Sequence, residues 1–314
     1  MRKLMPVLAV TLIVAAGCAP LGEPAATSLP PTSVPATAFP SPTPTYGVEV
    51  TQDVEYVKLL EPDAPVLKLD VYAPAEPGPW PVVVIMHYGF QNKDGPIYRG
   101  FAKDLAGRGV VVFVPQRRSQ VATVTDYAAN NGVIIRETQE SWACSVRFAR
   151  ERAADYGGDP EHVTVFGDGG GALDTAFIGD DLQPLWEELA SQRGAPPPQT
   201  ECLAGEGSAR VDAHIACGGD RKVYEILKDS DPDLWGMTSP FALIGRNPGL
   251  EVHLVHGESG NPTNIERARE YQEALVGAGY NASLTLMPGG RTEIPWSGAN
   301  RELLIQVILE AARR

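Results

Sequence analysis

The stretch from Val163 to Ala172 reads VTVFGDGGGA, a β-branched and aromatic run that stops in glycine, aspartate and three further glycines. Val163 to Phe166 suit a strand covered on both faces, where apolar residues need not alternate with polar ones. Gly167 to Gly171 suit a turn in which the backbone doubles back with no Cβ in the way. The amides of Gly169 to Gly171 then open a helix, and free N–H groups at a helix start favour a carbonyl oxygen or a carboxylate. A strand that runs through a tight turn into a helix is a unit of an α/β sheet, with its chemistry expected at the turn.

Working outward, the same signature recurs. Pro81 to Met86 (PVVVIM) and Val110 to Val114 (VVVFV) are continuous apolar runs, as central parallel strands require. A helical stretch near Tyr98 to Gly107 joins them. Thr138 to Tyr156 carries Trp142, Val146, Phe148 and Ala149 among charged residues and stops at Gly157-Gly158, which predicts a long amphipathic helix. Val211 to Ala216, Val252 to Val255 and Ala282 to Leu286 predict three more strands. Helices are expected near Arg221 to Lys228, Ile265 to Val276 and Asn300 to Ala312. Val48 to Leu60 and Val66 to Tyr72 predict an early hairpin. The fold class is therefore α/β: a mainly parallel central sheet with helices on both faces.

The 314 residues carry a formal charge of −13. A chain of that sign is repelled by nucleic acid and by anionic membrane surfaces, so neither is an expected partner. Arg2 and Lys3 precede an apolar run, Leu4 to Ala16, that ends in Ala15-Ala16-Gly17-Cys18. The run is short for a membrane span and has the three regions of an export signal. With cysteine after the small residues it resembles a bacterial lipoprotein signal, in which residues 1–17 are removed and Cys18 is lipidated. Residues 18–46 are rich in Pro, Thr and Ser and lack apolar periodicity, which predicts a disordered tether. The reading is an exported chain, anchored to a bacterial membrane by lipid alone, with its folded domain at 47–314.

LDVYAP (69–74), PVVVIMHYGF (81–90), DYGGDPEHVTVFGDGGGA (155–172), SPFALIGRNPGLEVHLVHGES (239–259) and LMPGGRTEI (286–294) follow one another in the order of the α/β-hydrolase fold. They most resemble its secreted carboxylesterases and lipases, whose elbow reads Gly-Asp-Ser-Ala-Gly-Gly. The resemblance covers nearly everything after Tyr46. It implies a serine nucleophile at the elbow, an acid after a later strand and a histidine after the last. Here those positions hold Gly169, Gly260 and Thr292. The five histidines are His87, His162, His214, His253 and His256, so none follows the last expected strand to serve as that base. The resemblance thus implies a carboxylesterase-like pseudoenzyme. His87-Tyr88-Gly89-Phe90 stands at the family's oxyanion loop, and with Gly170 would bind a small acyl or carboxylate ligand. The glycines are equally accounted for by a turn that needs residues without Cβ.

Two enzyme readings compete with the pseudoenzyme. One keeps the family's ester chemistry. The other moves the register by one residue and takes Asp168 as a nucleophile, as in dehalogenases of the same fold; its covalent ester still needs a base for hydrolysis. Glu258 and Glu293 flank the lost acid and base positions, although solvated loop acids explain them as well. His214, Cys217 and Asp220 lack a recognised zinc spacing, and Asp229, Asp231 and Asp233 miss the glycine and glutamate of a calcium loop. No metal and no cofactor are expected. Residues 179–210 match no family anchor and are read as a cap insertion, with Trp186 either lining the pocket or packing on the core. Cys202 and Cys217 are expected to pair in an oxidising compartment, with Cys144 as a buried thiol, and a pairing that includes Cys144 stays open.

Overall fold

The computed structural model describes residues 45–60, 63–88, 92–117, 133–169, 187–188, 191–192, 200–205, 207–222, 225, 227–289 and 298–314. Its strands are β1 (Val48–Leu59), β2 (Val66–Pro74), β3 (Trp80–Met86), β4 (Val111–Pro115), β5 (Gly158–Asp168), β6 (Thr200–Cys202), β7 (Ala213–Cys217), β8 (Glu251–Gly257) and β9 (Ala282–Met287). The helices are α1 (Pro96–Ala106), α2 (Val133–Arg152), α3 (Pro232–Thr238), α4 (Pro262–Gly277) and α5 (Gly298–Ala312), and Ala153–Tyr156 adds a 3-10 turn to the end of α2. The strands form one sheet in the order β6-β1-β2-β4-β3-β5-β7-β8-β9. From β4 to β9 every neighbouring pair is parallel. The β1–β2 hairpin, β6 on β1 and β2 on β4 are antiparallel.

The apolar runs of the central strands follow from this layering. Val82, Val84 and Met86 of β3 belong to one core, with Trp142, Val146 and Ala149 of α2. Val83 and Ile85 point the other way, into a core shared with α1 and α5. With both faces covered, no position on β3 gains from being polar. Helix α1 buries Tyr98, Phe101, Ala102, Leu105 and Ala106, the i, i+3, i+4, i+7 stripe that seats an amphipathic helix on a sheet. Pro96 occupies its first turn, where a missing N–H leaves nothing unsatisfied.

Two expectations are corrected here. Cys202 does not pair with Cys217: Cys144 and Cys202 form the disulfide, with Cα atoms 5.5 Å apart. Cys202 ends β6 at the far edge of the sheet, and five strands stand between it and β7. At about 4.8 Å per strand that separation is on the order of 25–30 Å, well beyond the reach of a disulfide. Cys144 on α2 lies over that edge, and Cys217 is buried in the other core. In place of an α-helix at 221–228, the described residues show turns and a 3-10 stretch, with 225 and 227 in 3-10 conformation and the Lys228 N–H donating to Glu225 O at 3.1 Å. The helix of this region is α3, started by Asp231, whose side chain accepts from the Leu234 N–H, and by Pro232. The aspartates that imitate a calcium loop therefore include a helix cap.

Within the expected cap, Thr200–Cys202 forms the edge strand beside β1, while Trp186 lies outside the described residues. So do the signal, Cys18 and the tether up to residue 44. Among the described residues no helix is long and apolar enough to cross a membrane.

Candidate active site

Parallel strands bring their carboxyl ends to one edge, and the expected site residues lie there. β5 ends at Asp168, and the next residue, Gly169, is buried with φ of +60°. Left-handed backbone of this kind disfavours side chains with a Cβ. The Gly169 N–H donates to the Cys217 carbonyl at 2.9 Å, so the turn remains tied to β7. After β7, Gly218 and Gly219 also have positive φ. A Cβ on Gly219 would lie 2.9 Å from the Gly169 carbonyl oxygen, so the two turns touch backbone to backbone. Gly170 lies outside the described residues.

Asp168 is 8% exposed, and its Oδ2 accepts a hydrogen bond from the Tyr98 hydroxyl at 2.8 Å. That hydroxyl in turn accepts from the Tyr88 N–H at 2.8 Å. A three-member chain thus runs from the loop after β3, through α1, to the end of β5. Burial, reinforced by the Asp168 charge, pushes the Tyr98 hydroxyl well above its ordinary range, so it stays protonated and donates. Sequence reading missed Tyr98, because its partner lies 70 residues away and a tyrosine on an apolar helix stripe looks like core.

His87 directly follows β3 and is 1% exposed. Its Nδ1 lies 3.1 Å from the Tyr88 carbonyl, which can only accept, so Nδ1 carries the proton. Trp142 meets the ring edge-on, with centroids 5.7 Å apart. Burial brings its pKa down to about 4, so the imidazole is neutral at ordinary pH. Gly89 and Phe90 lie outside the described residues. Further along the loop, Lys93 is buried and contacts Asp70 and Asp53 at 2.9 Å and Asp94 at 3.0 Å. Burial pulls its ammonium down, but the hydrogen bonds to these carboxylates outweigh it and raise its pKa. This buried pair, also missed from sequence, pins the loop to β2.

At the end of β8, His256 is buried, and Gly260 sits in a turn whose N–H donates to Gly257 O at 3.0 Å. Ser259 N–H donates to Gly289 O at 2.9 Å, tying this loop to the end of β9. Asn261 caps α4 by accepting from the Thr263 N–H at 2.9 Å. Glu258 is exposed, whereas Thr292 and Glu293 lie outside the described residues. The third unforeseen group is Arg221, 1% exposed, which donates to the carbonyls of Ala216 and Gly219, each at 3.2 Å, and of Gly218. Among the described residues no three His, Cys, Asp or Glu side chains are grouped to hold a metal ion.

No family model matches this chain. Mouse Neuroligin-2 is 26% identical over 166 residues, which is 48% of this chain and 19% of that protein. Among solved structures, esterase Est2 of the planctomycete Thermogutta terrifontis superposes with a TM-score of 0.57 at 21% identity, covering 83% of this chain and 90% of its own. The same esterase is known with butyrate and with propionate bound. Inhibited esterase B of Lactobacillus rhamnosis gives a TM-score of 0.60 at 15% identity, covering 85% and 87%. At such identities the likeness concerns the backbone alone. The parallel sheet, its two helical layers, the elbow after β5 and these neighbours together establish that the chain has the α/β-hydrolase fold.

Proposed function

We propose that this protein is an exported, lipid-anchored member of the esterase-like branch of the fold that has lost hydrolysis at the elbow and binds a small carboxylate or acyl group there. The observation that carries the reading is Gly169, a residue without a nucleophile in the left-handed turn that closes β5. Gly260, where the resemblance expects the acid, has no carboxylate either, and Thr292 stands in for the base. Loss of members of a catalytic triad is not additive: removing one already abolishes most of the rate, and what survives is binding and oxyanion-type stabilisation. Asp168, the alternative nucleophile, is buried with one oxygen held by Tyr98, which suits an acceptor that positions the turn. The butyrate and propionate complexes of Est2 suggest the size of ligand. The Cys144–Cys202 disulfide suits an oxidising, extracytoplasmic compartment.

The test is calorimetric titration of the purified chain with butyrate and propionate, beside hydrolysis of 4-nitrophenyl butyrate. Saturable binding without Asp168-dependent turnover is expected. Turnover abolished by Asp168→Asn, or no binding of either acid, overturns the reading. For the anchor, Cys18→Ser is expected to move the protein from the membrane fraction to the soluble one; an unchanged distribution refutes lipidation.

A further inference from the structure

A second cluster of reactive side chains lies away from the elbow, toward the amino ends of β8 and β9. On β8, Glu251 and His253 are two residues apart and so share a face. Ser283 of β9 is the register partner of His253 across the parallel pair. The three side chains meet in order: Glu251 Oε1 is 2.9 Å from His253 Nε2, and His253 Nδ1 is 2.9 Å from Ser283 Oγ. Arg314, at the end of the chain, holds the same Glu251 oxygen at 2.5 Å. The elbow is on the opposite edge: Gly257, at the carboxyl end of β8, is four residues beyond His253, about 13 Å along the strand.

The order fixes the proton positions. An ionised carboxylate only accepts, so His253 Nε2 carries the hydrogen and donates to Glu251, which leaves the Nδ1 lone pair facing the Ser283 hydroxyl. Burial lowers the pKa of His253; the Glu251 charge and hydrogen bond oppose this, Arg314 assists it and Glu310 opposes it. His214, on the neighbouring β7, also senses His253, and it is buried and neutral. The imidazole is therefore neutral near pH 7, the state in which it accepts a proton. Glu251 and His253 are mostly covered, with side chains 14% and 15% exposed, and Ser283 is partly exposed. A carboxylate that orients an imidazole, and an imidazole that accepts from a hydroxyl, is the arrangement that activates serine, whatever the fold around it.

We propose that Ser283 is a nucleophile, with His253 as its base and Glu251 as the positioning residue, that reacts with electrophilic acyl and phosphoryl centres. With a fluorophosphonate, the Ser283 Oγ–P bond forms, the P–F bond breaks, the hydroxyl proton passes to His253 Nδ1 and fluoride departs. The reaction does not involve Gly169, so its outcome is separate from that of the elbow.

The test is labelling of the full chain with a fluorophosphonate probe, followed by peptide mass spectrometry. The adduct is expected on Ser283 ahead of every other serine, with a labelling rate that rises with pH as His253 loses its proton and then levels. His253→Gln is expected to slow it at least tenfold and Glu251→Gln less, with circular dichroism unchanged. If Ser283 of the unaltered chain is labelled no faster than the other serines, or if His253→Gln leaves the rate as it was, the proposal is overturned. The first comparison needs no variant and so does not depend on how one folds.

Discussion

Replacing Tyr98 by Phe removes a single oxygen from the interior while leaving the ring in its place on α1. That oxygen donates to Asp168 and accepts from the Tyr88 N–H, each at 2.8 Å. Its loss deprives a buried carboxylate of one donor and a half-buried backbone amide of one acceptor. A hydrogen bond to a charged group contributes about 1.5–3 kcal/mol, and an ordinary one about 0.5–1.5 kcal/mol. Some of each is recovered by relaxation, so a loss of about 2–4 kcal/mol is expected. At a urea slope of about 3 kcal/mol per M for a domain of this size, the unfolding midpoint falls by about 1 M. In a double-mutant cycle with Asp168→Ala, the two changes are expected to couple by about 1–2 kcal/mol. A midpoint within about 0.2 M of the parent, or coupling near zero, refutes the view that this hydroxyl joins the β3 loop to the elbow.

Replacing Cys144 and Cys202 together by Ala opens a loop spanning 58 residues. Chain-entropy reasoning puts the loss of stability at about 4 kcal/mol, measurable by denaturant titration, whereas Cys217→Ser should leave the oxidised bridge intact by mass spectrometry. Lys93→Met removes the ammonium from the fully buried Asp70 and is expected to destabilise by about 3–5 kcal/mol, the consequence of stranding a buried charge; a loss under 1 kcal/mol contradicts the pairing. His87 and His214 have folded pKa values lowered by burial to about 4 and about 3. Below pH 6.5 the unfolded chain takes up protons that the folded one refuses. Stability is thus full above pH 6.5 and falls toward pH 4 by about 1.4 kcal/mol per pH unit for each histidine. His87→Gln should flatten this acid limb, and an unchanged slope in that variant would remove His87 from the account.

What the sequence disclosed, and what it withheld, follows from the range of each interaction. β3, β4 and β5 were legible because two-sided burial writes itself into consecutive residues such as Val82 to Ile85. The hairpin of β1 and β2 and the helices α1, α2, α4 and α5 were equally local in their signals. Contacts that close over long distances were not. Tyr98 and Asp168 are separated by 70 positions, Lys93 and Asp70 by 23, and nothing in either neighbourhood advertises the partner. The disulfide was misassigned because β6 has only three residues, Thr-Glu-Cys, too short for a period-two pattern to show that Cys202 is at the sheet's edge. Around Arg221 to Lys228 the chain forms turns and a 3-10 stretch, and the α-helix start signal, Asp231-Pro232, lies just beyond it.

The φ of Gly169 sets the energetic cost of any side chain placed at the elbow. A residue with a Cβ held in left-handed backbone costs roughly 1–2 kcal/mol relative to glycine, so a serine there is under tension that glycine discharges. Exchange of serine for glycine at this φ is downhill for the folded chain, and the reverse exchange is uphill. On the proposed reading of an inactive elbow, stability alone would therefore act as a ratchet that keeps glycine at this position.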